Sequence, residues 1–118
     1  MASIGQPGGQ GVLGFFNDAV AATVIQIKSQ QGQLFGMNLV NSTAAVAYLQ
    51  VFGLPAASVV LGTTVPDWHI KLTANQSLQL QWQQGLGFSG GGSGMSIAGT
   101  TLAQGTVAAA ISVTAFYL

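Results

Sequence analysis

Residues 77–83 read SLQLQWQ, so that Leu78, Leu80 and Trp82 alternate strictly with Gln79, Gln81 and Gln83. Successive side chains of a β-strand point to opposite faces, and this stretch therefore specifies a strand with one apolar face and one amide face. The same period of two recurs along the chain. Ile25 and Ile27 share a face within residues 23–28 (TVIQIK), and Phe35, Met37 and Leu39 share one within residues 33–41 (QLFGMNLVN). Residues 45–52 (AVAYLQVF), 58–63 (SVVLGT), 68–73 (WHIKLT) and 95–98 add further strands. In residues 106–118 (TVAAAISVTAFYL), Val107, Ala109, Ile111, Val113 and Ala115 stand in register. Gly, Pro and Asn punctuate these segments at Gly32, Asn41, Gly53, Pro55 and Pro66. About eight or nine strands at roughly ten-residue spacing predict an all-β fold, an antiparallel β-sandwich of jelly-roll or Ig-like type. The one helical expectation is a short turn over residues 19–22, capped by Asn17-Asp18.

Residues 1–16 are rich in Gly and Gln and read as an extended N-terminal arm, with the sandwich occupying residues 17–118. Phe15 and Phe16 are placed to anchor the end of that arm to the domain or to a neighbour. The closing segment is long for a strand, and no charge interrupts it. At a sheet edge it would invite aggregation, so a central position is expected.

Composition narrows the function. Of 118 residues only 3% are charged, namely Asp18, Lys28, Asp67 and Lys71, where about 25% is usual. Two basic residues give no electrostatic footprint for a nucleic-acid backbone and no polybasic membrane patch. Zero net charge removes the repulsion that keeps free proteins apart and suits a chain that works inside an assembly. There is no cysteine for disulfides or thiolate metal sites. The first residues, MASIGQPGGQG, show no basic-then-apolar secretory pattern, and no apolar run is long enough to span a bilayer as a helix. The expectation is a product made in the cytoplasm.

Catalytic chemistry is poorly supplied. Asp67 and His69 lie two apart and would project to the same side of a strand, but no G-x-S-x-G elbow accompanies them. His69 and Lys71 read as the solvent face of a strand whose Ile70 and Leu72 face the core. One His and two Asp are too few for a metal site without backbone or symmetry-related ligands. The run Gly85-Leu86-Gly87-Phe88-Ser89-Gly90 satisfies G-x-G-x-x-G, but the strand-like Met95-Ser96-Ile97 follows it and no acid occurs after Asp67. The dinucleotide fingerprint requires a helix and a later acid, so this stretch is read as a bend, with Phe88 expected to dip into the core. Asn41-Ser42-Thr43 and Asn75-Gln76-Ser77 match the glycosylation sequon and are read as turns. The Gln79/Gln81/Gln83 face admits three readings: a sugar-binding row, a neutral contact with another protein, or an ordinary solvated face.

The stretches GQLFGMNLVNSTAAVAYLQVF, LGTTVPDWHIKL, GLGFSGGGSGMSIAGTT and VAAAISVTAFY, taken together over roughly residues 20–118, resemble a family of small β-sandwich structural proteins of tailed bacteriophages. That resemblance implies a virion component that binds rather than catalyses, with no cofactor: a capsid decoration or cement protein, made in the host cytoplasm and placed on the capsid surface. The implied partners are the major capsid protein and further copies of the chain, expected as homotrimers. The interface expected from the residues is Phe15, Phe16, Gln79, Gln81, Gln83, Phe116, Tyr117 and Leu118. The alternative is a glycan- or receptor-binding module of a head or tail fibre.

Overall fold

The computed structural model describes residues 3–4, 12–30, 32–86 and 94–118. Its strands are β1 (Ser3–Ile4), β2 (Val12–Val20), β3 (Ile25–Lys28), β4 (Leu34–Val40), β5 (Ala47–Phe52), β6 (Trp68–Leu72), β7 (Ser77–Leu86), β8 (Met95–Thr100) and β9 (Ile111–Tyr117). They form two sheets, ordered β1-β2-β9-β4-β7 and β3-β8-β5-β6, and every pairing is antiparallel. β2 pairs with β9, β3 with β8, β4 with β7 and β5 with β6, as in one long hairpin whose tip is the loop 53–67. Rolling that hairpin brings β9 onto β4 and β8 onto β5. This is the double-Greek-key winding of a jelly roll, which settles the choice between the two sandwich types.

The core lies between the sheets. One contributes Phe15, Val20, Leu34, Met37, Leu39, Ile111, Val113, Ala115 and Tyr117; the other contributes Ile27, Ala47, Leu49, Val51, Ile70, Leu72, Met95 and Ile97. Leu78, Leu80 and Trp82 pack against this cluster while Gln79 and Gln81 are exposed, so the alternation of β7 holds as far as it is described. His69 and Lys71 are exposed and Ile70 and Leu72 buried, again as the pattern requires. β9 is central, bonded to β2 on one side and β4 on the other.

Five expectations fail, each for a local reason. Residues 12–16 belong to β2 and pair with β9, so the sandwich takes in part of the expected arm. Residues 19–22 form no helix: Asn17 Oδ1 accepts from the Ala19 amide at 2.9 Å, and β2 is bulged between Asn17 and Val20 instead. Residues 58–63 are no strand. A 3-10 turn at Ala56–Ser58 leads into a turn in which Thr64 Oγ1 accepts from the Val60 amide and Gly62 adopts φ +83°. A register shift between Leu34 and Gly36 puts Leu34 in the core beside Met37 and Leu39, and leaves Phe35 outside the buried cluster. Residues 106–110 precede β9 rather than extend it, and Val107 is exposed. The expected position of Phe88 lies outside the described residues.

Two polar knots fix the loops. Asn41 is fully buried at the end of β4. Its Nδ2 donates to the carbonyls of Ala45 (2.8 Å) and Thr73 (3.0 Å), with a longer approach to Leu72 (3.4 Å). Its Oδ1 accepts from the Thr43 amide (3.1 Å) and the Thr43 hydroxyl (2.7 Å). One amide side chain thus ties the β4–β5 turn to the β6–β7 turn. The first sequon lies in this connection, with its Asn nitrogen buried and donating to two carbonyls. On β5, Gln50 is buried and its Nε2 donates to Thr100 Oγ1 (2.7 Å) and to the Gly105 carbonyl (3.2 Å), which holds the 101–110 loop down.

Candidate functional site

The outer faces of the two sheets differ. Over the β3-β8-β5-β6 sheet, Ser96 Oγ donates to the Leu54 carbonyl, the Ala56 amide donates to Gln26 Oε1, and Gln50 reaches Gly105. The loops 53–67 and 101–110 therefore roof much of that sheet, burying Gln50, Phe52, Ser96, Ala98 and Thr100. Exposed Val60, Val65, Leu102 and Val107 stud the roof. The outer face of the other sheet carries no such cover among the described residues.

Register assembles that open face from four strands. Gly14, Phe116, Gly36 and Gln81 form one cross-strand row on β2, β9, β4 and β7. Phe16, Thr114, Asn38 and Gln79 form the next row, and Ser112, Val40 and Ser77 a third. The neighbours along each strand, such as Phe15, Ala115, Met37 and Leu80, point into the core, which fixes these residues outward. Phe116 lies between two glycines; a Cβ added at Gly36 would sit 3.5 Å from its Cδ2, so the ring spreads over a position with no side chain. Phe16 projects beside it at 63% exposure. Two rows across four strands and a third across three, at about 4.8 Å between strands and about 6.8 Å between rows, cover just under about 400 Å².

The face holds amides, hydroxyls and two phenyl rings, and neither of its first two rows contains an ionisable group. Lys28 and Lys71 are on the opposite sheet, Asp67 is in the loop before β6, and Asp18 is at the bulged end of β2. Asp67 and His69 are both exposed, and the His69 ring lies 6.1 Å from that of Tyr48 between centroids. Among the described residues no group of three His, Cys, Asp or Glu side chains converges on a possible metal position.

Of the eight residues expected at an interface, the fold gathers Phe16, Gln79, Gln81 and Phe116 into two adjacent rows. Phe15 (9% exposed) and Tyr117 (8%) face the core, because each is one residue out of phase with its outward neighbour. Leu118 follows β9 and exchanges backbone hydrogen bonds with Gln33 at 2.9 and 3.0 Å. The side chain of Gln83 lies outside the described residues. Asn38 and Thr114, which complete the second row, carry no sequence signal of their own; only register brings them there. The sequence matches no protein-family model, no curated protein and no solved structure.

Proposed function

We propose that this chain is a non-catalytic structural protein of a tailed-phage virion, a capsid decoration or cement protein that docks through the open outer face of the β1-β2-β9-β4-β7 sheet. The observation that carries this reading is the face itself: uncharged in its rows, amide-rich and uncovered among the described residues, where the opposite sheet is roofed by its own loops. Phenyl rings gain when water is expelled, and neutral amides that re-form their hydrogen bonds with a partner cost far less to desolvate than charged side chains. The jelly roll is a winding that capsid domains use, although it also serves lectins. An area of about 400 Å² is half the roughly 800 Å² per partner of a standard stable interface. Such a face binds weakly alone and firmly when many copies engage a repeating lattice, as cementing requires.

The test is quantitative mass spectrometry and cryo-EM of particles purified from lysates of a phage carrying the gene. Hundreds of copies on the head, with this face against the major capsid protein, are expected. A handful at the tail, or none, would refute the reading. Loss of particle binding in Val65→Ser or Leu102→Ser but not in Phe16→Ser would move the docking surface to the loop roof. Retention on a glycan array, lost in Phe16→Ser, would favour a carbohydrate partner.

A further inference from the structure

β7 forms one edge of its sheet, paired with β4 on one side and with no other strand among the described residues. A free edge presents unpaired N–H and C=O groups, and proteins blunt such edges with shortness, charge, proline or a bulge. The other three edges use those devices. β1 has two residues. β3 has four, ends on Lys28, and shifts register between Gln26 and Lys28. β6 has five, contains exposed Lys71, and follows Pro66-Asp67. β7 has ten residues with neither charge nor proline, and from Ser77 to Gln81 it runs in unbroken register against β4; irregular pairing begins only beyond Gln81. A second observation points the same way. The inward side chains of β4, Met37 and Leu39, are fully buried, whereas Leu78, Leu80 and Trp82 on β7 are only partly so. Among the described residues the core is least covered along this margin, where Trp82 meets Trp68 edge-to-face at 5.2 Å.

We infer that β7 is a self-association strand, pairing antiparallel with β7 of a second copy about a two-fold axis at Gln79. The sequence is self-complementary in that register. Leu78 falls opposite the second copy's Leu80, and Ser77 opposite the second copy's Gln81, so apolar meets apolar and polar meets polar. No charge on either strand opposes the approach. The pairing makes one continuous sheet from two and replaces the expected trimer with a dimer. Its consequence for docking rests on the function proposed above: two open faces become coplanar, and the area offered rises from about 400 to about 800 Å², the size of a standard interface.

Sedimentation equilibrium of the full chain tests this without any capsid partner. A dimer is expected, with Gln79→Lys and Gln79→Glu each weakening association at least about tenfold and an equimolar mixture of the two restoring it, because like charges would face each other across the axis. Because the chain has no cysteine, Gln79→Cys is also expected to give a disulfide-linked dimer under mild oxidation, and Ser29→Cys is not. A monomer at all concentrations, a trimer, or a dimer indifferent to both charge variants would overturn the inference. Particle binding is read separately, so absence of the protein from virions would refute the docking reading and leave this result standing.

Discussion

Replacing Asn41 by alanine removes the clamp between two turns, and its effect can be worked from the contacts. The amide nitrogen has two protons, so the 3.4 Å approach to the Leu72 carbonyl shares one of those donated to Ala45 and Thr73. Four full hydrogen bonds remain, two donated and two accepted. At about 1 kcal/mol net each they total about 4 kcal/mol. The carbonyls are not orphaned in the variant, however: the Thr43 hydroxyl proton, released from Asn41, can turn to Ala45 O, and Thr73 O accepts from the Gln76 amide. The expected loss is therefore about 3 kcal/mol. With an unfolding entropy of about 2.1 cal/mol/K per residue, that lowers the melting temperature by about 12 °C. Circular dichroism melts of Asn41→Ala and wild type measure it, and a difference under about 2 °C would refute the clamp. Asn41→Asp adds a test of polarity. Its carboxylate would face three carbonyl oxygens in a buried site, so its folded pKa rises above the unfolded value of about 3.9. The folded state then holds the proton more tightly. Relative to wild type, the variant is most stable below that unfolded value and loses stability as pH rises towards the folded one. A variant stabilised by rising pH would contradict the geometry.

Three further outcomes follow from the packing. Gly99→Ala would push a Cβ into the carbonyl oxygens of Ala109 and Val20, both backbone atoms, and is expected to lose about 2–3 kcal/mol in urea titrations; a neutral result would mean that the backbone at Ala109 and Val20 gives way freely. Tyr117→Ala should cost about 3–5 kcal/mol as a core deletion, while Phe16→Ser, on the open face, should stay within about 0.5 kcal/mol. Equal losses in those two would show that the outward phase of β2 is misassigned. Phe116→Ala strips the ring that spreads towards Gly14 and Gly36, and should cost about 1–2 kcal/mol by thermal melt while weakening particle binding.

The sequence carries the fold wherever one face is buried without interruption. Leu78, Leu80 and Trp82, or Ile70 and Leu72, announce their strand and its phase because nothing breaks the alternation. Phase is lost at bulges. The register shift at Leu34–Gly36 turns Leu34 inward in place of Phe35, and no local residue preference marks it, since the cause is pairing with β7 and β9. Residues 58–63 mislead differently: Val59 and Val60 favour a strand, but the Thr64 hydroxyl and the positive φ of Gly62 close a turn there. The candidate face was half legible. Gln79 and Gln81 show it directly, whereas choosing Phe16 over Phe15 and Phe116 over Tyr117 takes a strand phase that composition does not supply.

The central place of β9 also sets a timetable. Its partners β2 and β4 lie far earlier in the chain, and pairings at long sequence separation form slowly because so much chain must first be ordered. On the ribosome, β5 and β6 can meet as soon as their loop emerges. The sheet that carries the proposed docking face has a gap at its middle until residues 111–117 are made. A chain interrupted before that point lacks Ser112, Thr114 and Phe116, the middle column of that face. In copies terminated before residue 111 the face proposed to dock would be split, and an assembly built on it would exclude them.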